Sequence, residues 1–324
     1  MTEQNRLRAE LQNNAETFTG GDWGNVIKAV QNGNEAARNM LAAGVLCAGF
    51  REPRAVDALY DELASQWLGN RVAAQQAFLS EPLPAFTGTA FTPEFWTALW
   101  ELLDDSADMD ALNLTARVAA LGGVLDAQFG ELAEARSHAH EGAANAQQQT
   151  PPPMIDLAEL KQAPTNSLAG ELHSMLVDNG YDAEVLDRQA LGLGELPPAL
   201  RYLNTRILQM HDVWHLTAGY QTTSLHEIAI SAFQLAQFGH NYSAMFLAVV
   251  ITVASTARPE GLPILLQIIS EAWQHGRTTP SFMAIDWEQQ WHKPIDAIRT
   301  EQGIVPFKSQ LPADLFETLA QANA

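Results

Sequence analysis

From Pro197 to Gly303 the chain is punctuated so densely by helix starts and stops that little besides a set of packed helices can form from it. Pro198 is placed as the first residue of one helix and Gly219 as its stop. Ser224 opens a second that ends at Gly239, a third covers about residues 243–256, and Arg258, Pro259, Glu260 and Gly261 turn into a fourth at 263–275. Asp286 and Pro294 frame a last helix that ends near Gly303. Upstream, residues 22–40, 53–76, 92–103 and 108–135 carry apolar residues three and four apart with few β-branched alternations, so these are expected to be helices too. The expected fold class is all-α.

The boundary between these two series lies at residues 137–166, where small and polar residues lead into Pro151, Pro152 and Pro153. Such composition buries too little surface to offset its ordering entropy and reads as a linker. The expected organisation is a helical N-terminal segment at 1–136, the linker at 137–166, and a helical domain at 167–324 that holds a metal site in an αα-hairpin. His138 and His140, at the linker edge, are expected to be solvated.

Composition narrows the function. Of 324 residues 47% are apolar, enough for a substantial core, and the net charge is −20. That charge opposes sequence-independent nucleic-acid binding and attraction to an anionic bilayer. No apolar run is longer than residues 244–254, whereas a membrane span needs roughly 20 residues. Residues 1–14 lack the apolar stretch of a signal peptide. The single cysteine, Cys47, excludes an intrachain disulfide and is expected to be a buried thiol in a reducing compartment. Gly192 and Gly194 are a fragment of a phosphate-binding fingerprint with no strand before them, so a nucleotide site is set aside.

Chemistry concentrates in seventeen residues. His211, Asp212 and His215 are followed, after eleven residues, by Glu227. At about 100° per residue, His211, His215 and Asp212 fall near 0°, 40° and 100° on one sector of a helix, while Trp214 points near 300° and belongs to the core. The stop at Gly219 and restart at Ser224 can fold Glu227 back onto that sector. Two imidazoles and two carboxylates suit zinc, iron or manganese. Glu227 has a rival role, because Ser224-x-x-Glu227 is also a capping box. A carboxylate-bridged pair of metals is not supported, since Glu271 with His275 and Glu288 with His292 are spaced by four. The His-Asp doublet of a phosphohydrolase family competes as well, but the earlier His and later Asp it needs are not placed. Upstream on the same sector, Leu208, Asn204 and Arg201 fall near 60°, 20° and 80°, about 4.5, 10 and 15 Å from His211 along the axis. These three are the candidate substrate-binding residues, with a salt bridge as the alternative for Arg201. The apolar helix 244–254 reads as core or as the wall of a hydrocarbon cavity.

Residues 200–215, continuing through Thr217, Ala218, Gly219 and Tyr220 to Glu227, resemble the coenzyme Q biosynthesis family known as Coq-four, whose hallmark is His-Asp-x-x-His, eleven residues, then Glu. Further similarity lies in Ser167-Leu168-Ala169-Gly170, in Phe233-Gln234-Leu235-Ala236-Gln237, in residues 284–288, and in Pro294 and Gly303-Ile304. Together these cover roughly residues 155–305, and residues 1–150 are left unaligned.

The resemblance implies an all-helical protein that binds one divalent metal ion through His211, Asp212, His215 and Glu227. Zinc is the first choice, with iron, manganese or magnesium as alternatives. It implies work on a prenylated quinone precursor, by oxidative decarboxylation at ring carbon one of a 4-hydroxybenzoate-derived head group. The alternative is a non-enzymatic scaffold that organises the other ubiquinone biosynthesis enzymes. The four metal ligands would then also be the catalytic residues, and helix 244–254 with residues 264–266 would hold the prenyl tail. A homo-oligomer at the inner face of a bacterial cytoplasmic membrane, in peripheral contact with it, completes the expectation. His226 is expected to be an exposed residue at a helix start.

Overall fold

The computed structural model describes residues 3–18, 22–70, 90–106, 109, 111–143, 145–181 and 192–322. Its α-helices are, in order, α1 (Glu3–Glu16), α2 (Trp23–Gln31), α3 (Glu35–Phe50), α4 (Val56–Leu68), α5 (Pro93–Asp105), α6 (Ala111–Gly122), α7 (Ala127–Ser137), α8 (Leu157–Leu160), α9 (Leu168–Asn179), α10 (Pro198–Ala218), α11 (Ser224–Phe238), α12 (Asn241–Thr256), α13 (Leu262–Thr278), α14 (Ile295–Gln302) and α15 (Leu315–Ala322). No strand occurs among the described residues, so the protein is all-α.

Local signals account for most boundaries. Pro198 opens α10, and Thr92 accepts from the Phe95 N–H ahead of Pro93 to open α5. Three upstream expectations change, the helix expected at 53–76 closing early at Gly69, whose φ is 69°. The helix expected at 22–40 is two, because the Asn34 side chain accepts from the Ala37 N–H and starts α3 afresh, and α3 then runs on to Phe50. The one expected at 108–135 is likewise broken into α6 and α7, and residues 71–76, 108 and 110 of the expected helices lie outside the described residues.

The chain forms two compact units whose boundaries fall after Arg136, after Ile230 within α11, and after Arg277. The first unit contains residues 1–136 and 231–277. Its centre is α3 against α12. Gly49 permits that approach, since a Cβ there would sit 2.9 Å from the Ala244 carbonyl oxygen. Ala244, Leu247, Ala248, Val249 and Ile251 are all buried, so this face of the apolar helix is protein core. Cys47 is buried as expected, its Sγ donates to the Ala15 carbonyl at 3.1 Å, and burial pushes its thiol up to about 12.

The same unit buries a network of charged side chains made by Asp57, Asp61, Arg136 and Arg277. Arg136 holds Asp57 through two bonds of 2.8 and 3.0 Å and also donates to the Gly239 carbonyl. Arg277 donates to Asp57 at 2.9 Å and to Asp61 at 3.0 Å, lies over the Trp273 ring, and the Trp273 indole N–H donates to Asp61 at 2.7 Å.

The second unit contains residues 137–230 and 278–324. The stretch read as a linker is packed here. Ala143 and Ala146 are buried against Ala199 and Leu203 of α10, Ser281 donates to the Glu141 carbonyl, and Gln209 donates to the Pro153 carbonyl. Small side chains are what allow this segment to lie flat on α10. His140 is consequently buried at 1% exposure, which corrects the expectation of a solvated pair.

Arg206 on α10 grips Glu288 with two bonds of 2.6 and 2.8 Å and also donates to Gln209 Oε1. The Arg206 hydrogen bonds hold the Glu288 carboxyl below its ordinary range. A depressed carboxylate stabilises the fold above its unfolded pKa and loses that contribution as pH falls through the folded value. Because the Glu288 side chain is 50% exposed, Glu288→Gln should cost no more than about 1 kcal/mol at pH 7. Paired thermal melts should show the difference between variant and parent shrinking as pH falls below the ordinary carboxylate range.

Candidate metal centre

α10 ends where Gly219 takes a φ of 81°, a left-handed conformation that suits glycine, and its N–H closes on the His215 carbonyl. The chain then reverses, and Tyr220 N–H also bonds the His215 carbonyl at 2.9 Å. The Tyr220 carbonyl faces His215 Nδ1 at 3.3 Å. A carbonyl only accepts, so this contact favours the tautomer with its proton on Nδ1, the form whose Nε2 can bind an ion.

Three donors converge. His215 Nε2 lies 3.0 Å from His211 Nε2 and 3.3 Å from Glu227 Oε1, and His211 Nε2 lies 3.2 Å from Glu227 Oε2. Bonds of about 2.0–2.1 Å to one ion give ligand separations of roughly 3.0 Å in an octahedron and 3.3 Å in a tetrahedron. The three separations therefore fit one face of either polyhedron. His215 is 1% exposed, whereas the His211 and Glu227 side chains are 30% and 41% exposed, so one side of the cluster is walled and the other open.

Burial lowers the pKa of His211, but the hydrogen bond and charge of Glu227, with the charge of Asp212, outweigh it and raise the pKa above the ordinary value. Burial opposes ionisation of Glu227, and the two imidazoles overcome it, holding the carboxyl well below its usual range. A carboxylate beside two nitrogen donors is the charge state a divalent cation requires.

Of the four sequence-derived ligands, His211, His215 and Glu227 are brought within 4.8 Å of one another, and Asp212 is not in that cluster. Its position near 100° from His211 turns it off the shared edge, and it acts on His211 through charge. Asn204 is buried and its amide donates to the Leu200 carbonyl at 2.7 Å. Arg201 is exposed and donates to the Leu196 carbonyl, and Leu208 is half-buried.

His226 departs from expectation. It is 6% exposed, not an exposed helix-start residue, and its Nδ1 accepts the Gln221 N–H at 2.8 Å. Tyr220 stacks on Phe307 at 4.5 Å, His226 meets both rings edge-on, and Phe307 N–H donates to the Ala218 carbonyl. This aromatic brace fixes the loop between α10 and α11. Phe307 had no local signal, because its partner is some ninety residues upstream.

An all-helical unit that presents two imidazoles and a carboxylate on an αα-hairpin defines a candidate mononuclear metal protein. The family described as "Coenzyme Q (ubiquinone) biosynthesis protein Coq4" matches residues 145–308. The chain belongs to that family. The mitochondrial ubiquinone biosynthesis protein COQ4 homolog of Rattus norvegicus is 29% identical over 153 residues, 47% of this chain and 56% of its own. That of Homo sapiens is 27% identical over 151 residues, 46% of this chain and 55% of its own. The chain thus spans about half the length of the curated relatives it matches. A crystal structure from Nostoc punctiforme, of a protein named for ubiquinone biosynthesis, aligns with a TM-score of 0.50 and 25% identity over 65% of this chain and 96% of that one. No described helix is long and apolar enough to cross a membrane.

Proposed function

We propose that this chain acts in ubiquinone biosynthesis on a polyprenylated, 4-hydroxybenzoate-derived precursor, and that the reaction is metal-dependent oxidative decarboxylation at ring carbon one. The observation that carries this reading is the convergence of His211, His215 and Glu227 at separations of 3.0 to 3.3 Å in a Coq4-family chain. A divalent ion held there supplies Lewis acidity to the phenol and carboxylate of the head group, and redox chemistry as well if it is iron rather than zinc.

The protein's own part is positional. Tyr220 orients His215, the loop brace holds the hairpin closed, and the exposed side of Glu227 leaves an approach for the head group. Leu208, Asn204 and Arg201, successively further along α10, are the proposed contacts to the ring and its substituents. With a net charge of −20, long-range attraction does not bring the protein to an anionic bilayer, so peripheral contact runs through a local apolar surface or a partner enzyme.

Residues 1–144 lie outside the family match, and they favour a second reading, a scaffold that gathers the other enzymes. Complementation separates the two. In a strain lacking its own family member, His211→Ala should fail to restore ubiquinone and should accumulate a precursor that retains the ring carboxylate. Full restoration by His211→Ala would leave the scaffold reading in place.

A further inference from the structure

We infer that Glu317, on α15, is a positioning residue of the metal centre: it caps α11 from outside and so releases Glu227 to face the two histidines. The inference rests on the metal reading of His211, His215 and Glu227.

The sequence Ser224-x-x-Glu227 offers Glu227 two uses. Its carboxylate can reach back to the N–H of Ser224, the first residue of α11, which is one of the free donors of the first turn, much as in a capping box. A carboxylate committed to that bond is drawn along the helix, away from the neighbouring helix α10. In this protein the Ser224 N–H is already taken. It donates to Glu317 Oε1 at 2.8 Å, and the Ser224 hydroxyl donates to the same oxygen at 2.7 Å.

Immediately before it, the Thr223 hydroxyl donates to the Ala313 carbonyl at 2.7 Å, so the segment that carries α15 grips two successive residues at the start of α11. The Thr223 carbonyl in turn accepts the Glu227 N–H at 2.9 Å. Glu317 therefore supplies the negative charge that the first turn of α11 favours, and Glu227 points to His211 and His215 instead. The contact belongs to residues 309–322, beyond the family match that ends at 308. α15 has no buried residue, so changing Glu317 removes no core packing.

The competition predicts an effect that a simple structural cap does not. Without Glu317, Glu227 can turn to the Ser224 N–H, so α11 stays capped while the metal site loses a preorganised ligand. Zn²⁺ titrations by calorimetry, and Co²⁺ titrations by visible absorption, on the metal-free full-length protein are the test, with His215→Ala as reference. Glu317→Ala should weaken both metals about tenfold or more, with little change in thermal midpoint. Glu317→Gln keeps the acceptor oxygen and should stay within about threefold of the parent. In Ser224→Pro with Glu317→Ala, the N–H that would recruit Glu227 is gone, and affinity should return to within about threefold.

Equal affinity in Glu317→Ala and the parent would overturn the positioning role while leaving the metal reading intact. A loss in Glu317→Gln as large as in Glu317→Ala would overturn it in favour of general charge. If the parent binds neither metal more tightly than His215→Ala does, both readings fall together.

Discussion

Replacing His215 with alanine is expected to cost about 100-fold or more in divalent-metal affinity, roughly 2.7 kcal/mol. His215 is the most enclosed of the three donors at 1% exposure, and a backbone carbonyl, that of Tyr220, faces its Nδ1. Its removal leaves one imidazole and a half-exposed carboxylate, which no longer define a face of a coordination polyhedron. Calorimetric titration of the metal-free protein checks this. Asp212→Asn should cost less than about tenfold, because its carboxylate lies outside the converging cluster. A loss equal to that of His215→Ala would restore Asp212 as a fourth ligand. Protons compete for the same nitrogen on His211, whose pKa is raised, so affinity should climb with pH until that imidazole is neutral.

The second large effect concerns stability. Asp57→Ala should destabilise the protein by about 3–5 kcal/mol, measured by urea denaturation. Asp57 accepts from both Arg136 and Arg277, and all three side chains are 1 or 2% exposed. With Asp61 the group is neutral, two acids against two bases, and every bond in it is made inside protein. Removing Asp57 takes from Arg136 the carboxylate it holds and leaves Arg277 with Asp61. Burial raises the Asp61 carboxyl despite Arg277 and Trp273, so Asp61 is poorly suited to carry that charge alone. A cost below about 1 kcal/mol would mean that the network is not a keystone of this unit.

The course of α10 to α14 was legible because most of its signals are local: Pro198, Gly219, Gly239, Pro294 and Gly303 each act within one turn of chain. The break between α2 and α3 was harder to read because the apolar spacing continues across it, although Gly33 takes a φ of 78° there and Asn34 caps α3. The segment 137–166 looked like a linker by composition. Its alanines are small enough to lie on α10, and that use of small residues has no periodicity to detect. At the site, helical angles placed His211, His215 and Asp212 on one sector, and the structure brings the two histidines together with Glu227 while Asp212 falls outside the cluster.

The sequence by itself determined that the chain is helical and that two histidines share one edge of α10, because spacing along a helix is spacing in space. It also supplied Glu227, but with two roles that spacing cannot separate. In the tertiary structure a carboxylate 93 residues further along the chain takes the Ser224 N–H, and Glu227 faces the two histidines. Closing so long a loop costs little more free energy than closing a short one, so such a partner leaves no mark on the local pattern of residues. The aromatic brace of Tyr220, His226 and Phe307 was decided in the same way.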